Sequence, residues 1–76
     1  METDLTFGEA LDAMHRGARV QRSGWNGKGM WIEIQPPDDG SKMTRAYIYM
    51  KTADDDLVPW VASQSDLLAE DWRVAQ

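Results

Sequence analysis

The stretch TFGEALDAMHRGARVQR, residues 6–22, changes its hydrophobic period half-way along, and that change decides the fold class. It opens in a capping-box pattern, with Thr6 at the cap and Glu9 three residues on. Phe7, Ala10, Leu11 and Met14 then fall at i, i+3, i+4 and i+7, one face of a helix. His15 and Arg16 fill the last turn and Gly17 follows, a C-terminal signature, so a helix is expected over 7–16. Ala18-Arg19-Val20-Gln21-Arg22 alternates instead, and reads as a strand.

Beyond it the chain keeps the strand period. Ser23-Gly24-Trp25-Asn26-Gly27-Lys28-Gly29 has turn composition, and its Asn-Gly pair favours the positive φ of a tight turn. Met30 to Gln35 alternates, with Met30, Ile32 and Ile34 assigned to the core, and residues 36–42 read as a solvated loop. A strand is expected from Met43 to Lys51, Ala46, Ile48 and Met50 facing inward and Arg45, Tyr47, Tyr49 and Lys51 outward. Thr52 to Asp56 is a turn, followed by a short strand over 57–61 that Pro59 either confines to an edge or makes irregular. Ser63-Gln64-Ser65-Asp66 repeats the capping pattern and opens a helix of one or two turns, and Trp72-Arg73-Val74 ends the chain as a strand. The pattern is α+β in a single domain, 1–76: an N-terminal helix on a small antiparallel sheet, with a short helix near the C-terminus. One helix covers one sheet face, yet Trp31, Tyr47 and Tyr49 fall on the other, with Trp72 assigned there as well. Such bulk on an uncovered face marks subunit packing, a partner or a ligand.

Composition narrows the function. A chain of 76 residues builds only a marginal core, and small domains make up the deficit with disulfides, a metal or oligomerisation. Cysteine is absent and His15 is the single histidine, so no disulfide, cysteine zinc site or histidine metal site is expected, and oligomerisation is left. No apolar run approaches the roughly 20 residues of a membrane span. The acidic start Met-Glu-Thr-Asp is unlike a signal peptide, so a cytoplasmic protein without membrane contact is expected. Net charge is −5, with −1 over residues 1–35 and −4 over 36–76. That argues against a surface for long nucleic acid but leaves room for a small anion in a local pocket.

Catalytic constellations are poorly represented. His15 lacks a nucleophile at recognisable spacing and suits a helix C-terminus. Asp54-Asp55-Asp56 lacks the ligand spacing of a calcium loop, and Gly24 to Gly29 lacks the spacing and trailing hydroxyl of a phosphate-binding loop. Binding groups are better represented. Trp25, on a Gly/Asn turn, is either a platform for stacking a base or a plug over the end of the sheet. Asn26 has the donor and acceptor to read an adenine edge, or is simply the turn residue. Trp60 precedes a helix start whose N–H groups suit phosphate or ribose oxygens. Asp66 suits ribose hydroxyls, while reciprocal capping would occupy Ser63 and Asp66 without any ligand. Arg22, Lys28 and Arg45 are the cations nearest these elements in sequence, either phosphate partners or solvated charges.

The segments 24–30, 50–54, 58–60 and 63–72, with the opening Thr6 to Leu11, resemble the second type of Thoeris anti-defence family of small phage proteins, over nearly the whole chain. The resemblance implies a non-enzymatic sponge without cofactor, holding nucleotide second messengers made by bacterial immune enzymes inside the infected cell. It implies glycocyclic ADP-ribose from TIR-domain proteins as ligand, with cyclic dinucleotides from cGAS-like enzymes taken by some members at a separate site. It also implies a homotetramer with pockets shared between subunits. Trp25, Asn26, Trp60, Ser63 and Asp66 carry over as pocket residues from matching motifs, with Arg22, Lys28 and Gln64 added to them. The alternative is a protein-interaction module docking a host or phage protein through Trp31, Tyr47 and Tyr49.

Overall fold

The computed structural model describes residues 3–75. Helix α1 runs Phe7–His15, and its capping box is complete: the Thr6 hydroxyl accepts from the Glu9 N–H and the Glu9 carboxylate from the Thr6 N–H. Gly17, at φ 93°, then takes the left-handed conformation that a helix exit favours, and donates its N–H to the Met14 carbonyl. The strands are β1 (Val20–Arg22), β2 (Trp31–Gln35), β3 (Tyr47–Lys51), β4 (Leu57–Pro59) and β5 (Trp72–Val74), with helix α2 (Gln64–Leu68) before the last.

All five strands join one antiparallel sheet in the order β4-β3-β2-β1-β5. Strands β1 to β4 form a meander, and β5 returns to pair with β1 at the far edge. The register sets Val20, Ile32, Met50 and Trp72 beneath Ala10, Ala13 and Met14 of α1, and these seven residues are the buried apolar core. Pro59 lies on the edge strand, where a missing N–H costs no ladder bond.

Four expectations change. Residues 43–46 are outside β3: Met43 and Ala46 are exposed, and Met43 donates its N–H to Ser41 Oγ rather than to a neighbouring strand. Strand β4 stops at Pro59, before Trp60 and Val61. Trp72 lies on the helix-covered face, not the open one, because β5 pairs Arg22 with Trp72 and Val20 with Val74. The Trp72 side chain is fully buried and its indole N–H reaches the Asp66 carbonyl at 3.0 Å, so its polar atom is satisfied. The 23–29 loop also differs from expectation. Its positive φ falls at Gly29 (75°) rather than at Asn26-Gly27, and Gly27 is small for another reason: a Cβ there would collide with the Met30 sulfur.

The face away from α1 holds Trp31, Glu33 and Gln35 of β2 opposite Lys51, Tyr49 and Tyr47 of β3, as the alternation implied. Gln21 and Arg73 continue that face across β1 and β5. Among the described residues, no helix is long and apolar enough to cross a membrane.

Candidate functional site

Two settings meet at the 23–29 loop. The first is a polar clamp that fastens this loop to the segment around α2. Arg22 sits at its centre, with Nε 2.9 Å from Asp71 Oδ1 and Nη1 2.9 Å from Asp66 Oδ1. Asp66 Oδ1 also accepts the Trp25 indole N–H at 3.1 Å, while Oδ2 takes the Ser63 N–H. The Ser63 hydroxyl in turn accepts the Asp66 N–H, so the reciprocal cap is present. Asp71 Oδ2 accepts the Gly24 N–H, and the Asp71 carbonyl accepts the Ser23 N–H.

Ionisation follows from these contacts. The hydrogen bonds Arg22 donates to Asp71 first and Asp66 second raise its pKa further. Burial pushes the Asp66 carboxyl upward, but hydrogen bonds from Arg22, Ser63 and Trp25 together outweigh it and hold Asp66 below the usual carboxylate range. Arg22 does the same for Asp71 against a smaller burial effect. The clamp is therefore charged at neutral pH, and its carboxylate oxygens are occupied by the protein itself.

Against the clamp packs an aromatic cluster. Trp25 and Trp60 meet the buried Trp72 edge-on, with centroids 5.3 and 6.2 Å away, and Phe7 approaches Trp72 to 5.3 Å. Trp25 and Trp60 are half-buried, so each closes the end of the core while keeping part of its surface in solvent.

The second setting is a groove of about 790 Å³ on the other side of the same loop. Trp25, Lys28 and Gly29 of the loop, Trp31 of β2, Lys51 of β3 and Arg73 of β5 help to form its walls. Its volume lies within the range of small-molecule sites. Four of the eight Lys/Arg side chains line it (Arg22, Lys28, Lys51 and Arg73), and no Asp or Glu of the described residues does. Arg22 is neutralised by Asp66 and Asp71 and Lys51 pairs with Asp55, so Lys28 and Arg73 supply the excess positive charge of the wall.

The residues singled out in the sequence thus divide. Arg22, Trp25 and Lys28 line the groove; Ser63 and Asp66 belong to the clamp, and Trp60 to the aromatic cluster. Asn26 and Gln64 are exposed, on the loop and at the start of α2. Arg45 is exposed ahead of β3 and does not line the groove. Gln21, Lys51 and Arg73 were not among the site candidates, and Trp31 was singled out for the open face rather than for the nucleotide pocket. Their signal was present in the alternation, which sets all four out of phase with the core positions, but only strand order brings them together.

Fold and groove together define a small α+β domain with a hollow lined by Lys and Arg side chains beside an aromatic cluster. Residues 5–75 match the Tad2-like family, described as the Thoeris anti-defense 2-like domain, and the chain belongs to that family. A curated relative, Thoeris anti-defense 2 of Bacillus phage SP01, is 38% identical over 87 aligned residues, which take in 97% of this chain and 98% of that protein.

Proposed function

We propose that the protein is a phage anti-defence factor directed at Thoeris, acting by holding a nucleotide immune messenger without degrading it. The observation that carries this reading is the groove: two indoles and four cations around about 790 Å³, with no Asp or Glu among the described residues of the wall. Family membership and the anti-defence name of the phage SP01 relative support the biological setting. Glycocyclic ADP-ribose is the messenger proposed for this groove, and cyclic dinucleotides are assigned to a separate site. The working assembly is a homotetramer in the cytoplasm of the infected cell, a neighbouring subunit closing the open sheet face over the ligand.

The energetics suit sequestration. A micromolar dissociation constant corresponds to about −8.2 kcal/mol and a nanomolar one to about −12.3 kcal/mol. Stacking on tryptophan supplies about 1–3 kcal/mol per base, and charge-assisted hydrogen bonds to phosphate, strengthened by enclosure, supply the larger remainder. Holding requires affinity and no turnover. Incubation of the protein with glycocyclic ADP-ribose, followed by denaturation, is expected to return the messenger intact. Recovery of a cleaved product overturns the sponge.

A second reading has its own observation. Met43, Tyr47, Leu57 and Pro59 border a smaller hollow of about 210 Å³ on the β3-β4 side, where Leu57 is 65% and Met43 54% exposed. That surface suits a protein partner. A thermal-shift panel of cyclic nucleotides separates the two readings: no shift with any of them favours the interaction module.

A further inference from the structure

Resting on the reading of the groove as the messenger site, we infer that Arg19, Glu33 and Tyr49 are positioning residues: they brace the Trp31 indole as a fixed wall of the groove and act on a bound ligand only through it. The register lays the open face out in rows. Trp31 of β2 stands opposite Lys51 of β3, and Gln21 of β1 is its neighbour on the other side, because Val20 pairs with Ile32. One step along the strands, Glu33 stands opposite Tyr49, and the same pairing places Arg19 on its other side. Lys51, Trp31 and Gln21 line the groove, whereas Arg19, Glu33 and Tyr49 do not.

The second row is tied together from strand to strand. The Tyr49 hydroxyl donates to Glu33 Oε1 at 2.6 Å, and the same oxygen pairs with Arg19 Nε at 3.5 Å. Burial and that hydrogen bond push the Tyr49 phenol up to about 12, so it remains a donor through the neutral range. The Arg19 backbone is fixed as well, its carbonyl accepting the Ala75 N–H at 2.7 Å. Both ends of this row reach Trp31. The Arg19 guanidinium lies 4.2 Å from the centre of its ring, and the Tyr49 ring meets it at 5.9 Å and 73°, the edge-to-face arrangement that aromatic pairs prefer. Glu33 is the common anchor of the two braces.

An indole on an open sheet face turns about its side-chain bonds, and its rotamer sets the shape of any wall it lines. Contact with Arg19 and Tyr49 holds that rotamer before a ligand arrives, so the side chain is ordered in folding rather than in binding. Trp25, the other indole of the groove, is fixed by a different device, its N–H bond to Asp66. Because Arg19 is paired with Glu33, the brace adds no net charge beside the groove, and its effect on a ligand is geometric.

The test joins a double-mutant cycle to a signal from Trp31 itself. Glycocyclic ADP-ribose is titrated into the full chain by calorimetry, and a 5-fluorotryptophan-labelled sample is followed by ¹⁹F NMR, with Trp31→Phe identifying the Trp31 resonance. Trp31→Ala is expected to weaken binding about tenfold. Arg19→Met and Glu33→Gln are each expected to weaken it about threefold, and Arg19→Lys, which keeps a cation at the ring, to recover part of that loss. In the Trp31→Ala background neither Arg19→Met nor Glu33→Gln is expected to weaken binding further, because both act through the indole. In the ligand-free protein Arg19→Met should shift and broaden the Trp31 fluorine signal and leave those of Trp25, Trp60 and Trp72 in place, which also reports that the variant is folded. An undisturbed Trp31 signal overturns the brace. Full-strength binding by Arg19→Met, or a loss that persists in the Trp31→Ala background, overturns the positioning role. Absence of messenger binding, or binding indifferent to Trp31→Ala, overturns the reading of the groove instead, and the ligand-free Trp31 signal then upholds or overturns the brace on its own.

Discussion

Replacing Asp66 separates the geometry of the clamp from its charge. The residue is 8% exposed and joins Arg22, Trp25 and Ser63 through three accepted hydrogen bonds of 2.9–3.1 Å. In Asp66→Ala the reciprocal half of the α2 cap goes, worth about 1 kcal/mol. The Arg22 and Trp25 donors also lose their acceptor in a partly buried site, at about 1–3 kcal/mol. Because Arg22 keeps Asp71, the low end applies to the charge, and the expected destabilisation is about 3 kcal/mol. Asp66→Asn retains one acceptor oxygen but turns an amide N–H₂ toward a donor, and is expected to cost about 1–2 kcal/mol.

Urea unfolding at fixed protein concentration measures both, since self-association would make the midpoint concentration-dependent. With a slope of about 1 kcal/mol/M for so short a chain, the Ala variant should lose about 3 M in midpoint and the Asn variant about half that. The pH dependence adds a sign. The folded-state pKa of Asp66 is lowered, so its contribution is fully present above the unfolded carboxylate pKa, near 3.9, and is lost as the pH falls through the lower folded value. The gap between wild type and Asp66→Asn should therefore close as the pH drops below about 4. Midpoints within about 0.5 kcal/mol of wild type for both variants, the range of ordinary surface changes, would refute the clamp.

Three further outcomes follow from other contacts. In Gly24→Ala the new Cβ would stand 2.7 Å from Asp71 Oδ2 and 3.2 Å from Arg22 Nη2. Both atoms are held by the clamp, so a loss of about 1–3 kcal/mol is expected in the same urea assay. Trp72→Ala empties the largest fully buried side chain, and at about 3–5 kcal/mol it should leave little folded protein by near-ultraviolet circular dichroism. Tyr49 is driven to a pKa of about 12 by burial and by its 2.6 Å hydrogen bond to Glu33. Its stabilisation is present below the unfolded tyrosine pKa, near 10, and is lost as the pH rises through the folded value, so Tyr49→Phe should flatten the alkaline limb of a melting curve and remove the latest phenolate component of an ultraviolet titration.

Local patterns were legible wherever one element supplies its own reason. The two capping boxes, the helix over 7–16 and the strand alternation were readable because caps and periods involve residues a few positions apart. Residues 43–46 continue the same alternation, yet they lie outside β3, whose pairing with β2 begins at Tyr47 opposite Gln35. The capping alternative for Ser63 and Asp66 was visible beside the ligand role that the resemblance implied, and the cap is what the geometry occupies. For Trp25 the platform and the plug turn out to be compatible: one indole donates its N–H to Asp66, packs on Trp72 and lines the groove.

What the sequence alone determined is the element types, their order and the two-faced character of the sheet, since all of these follow from nearest-neighbour chemistry. Tertiary structure decided the partners of Arg22, which lie 44 and 49 residues away, and the burial of Trp72. It also decided that Lys51 and Arg73 line one groove across β2 and β1. These depend on β5 closing back onto β1, a choice of strand order that no period in the chain encodes, because it is fixed by which apolar faces can share one core.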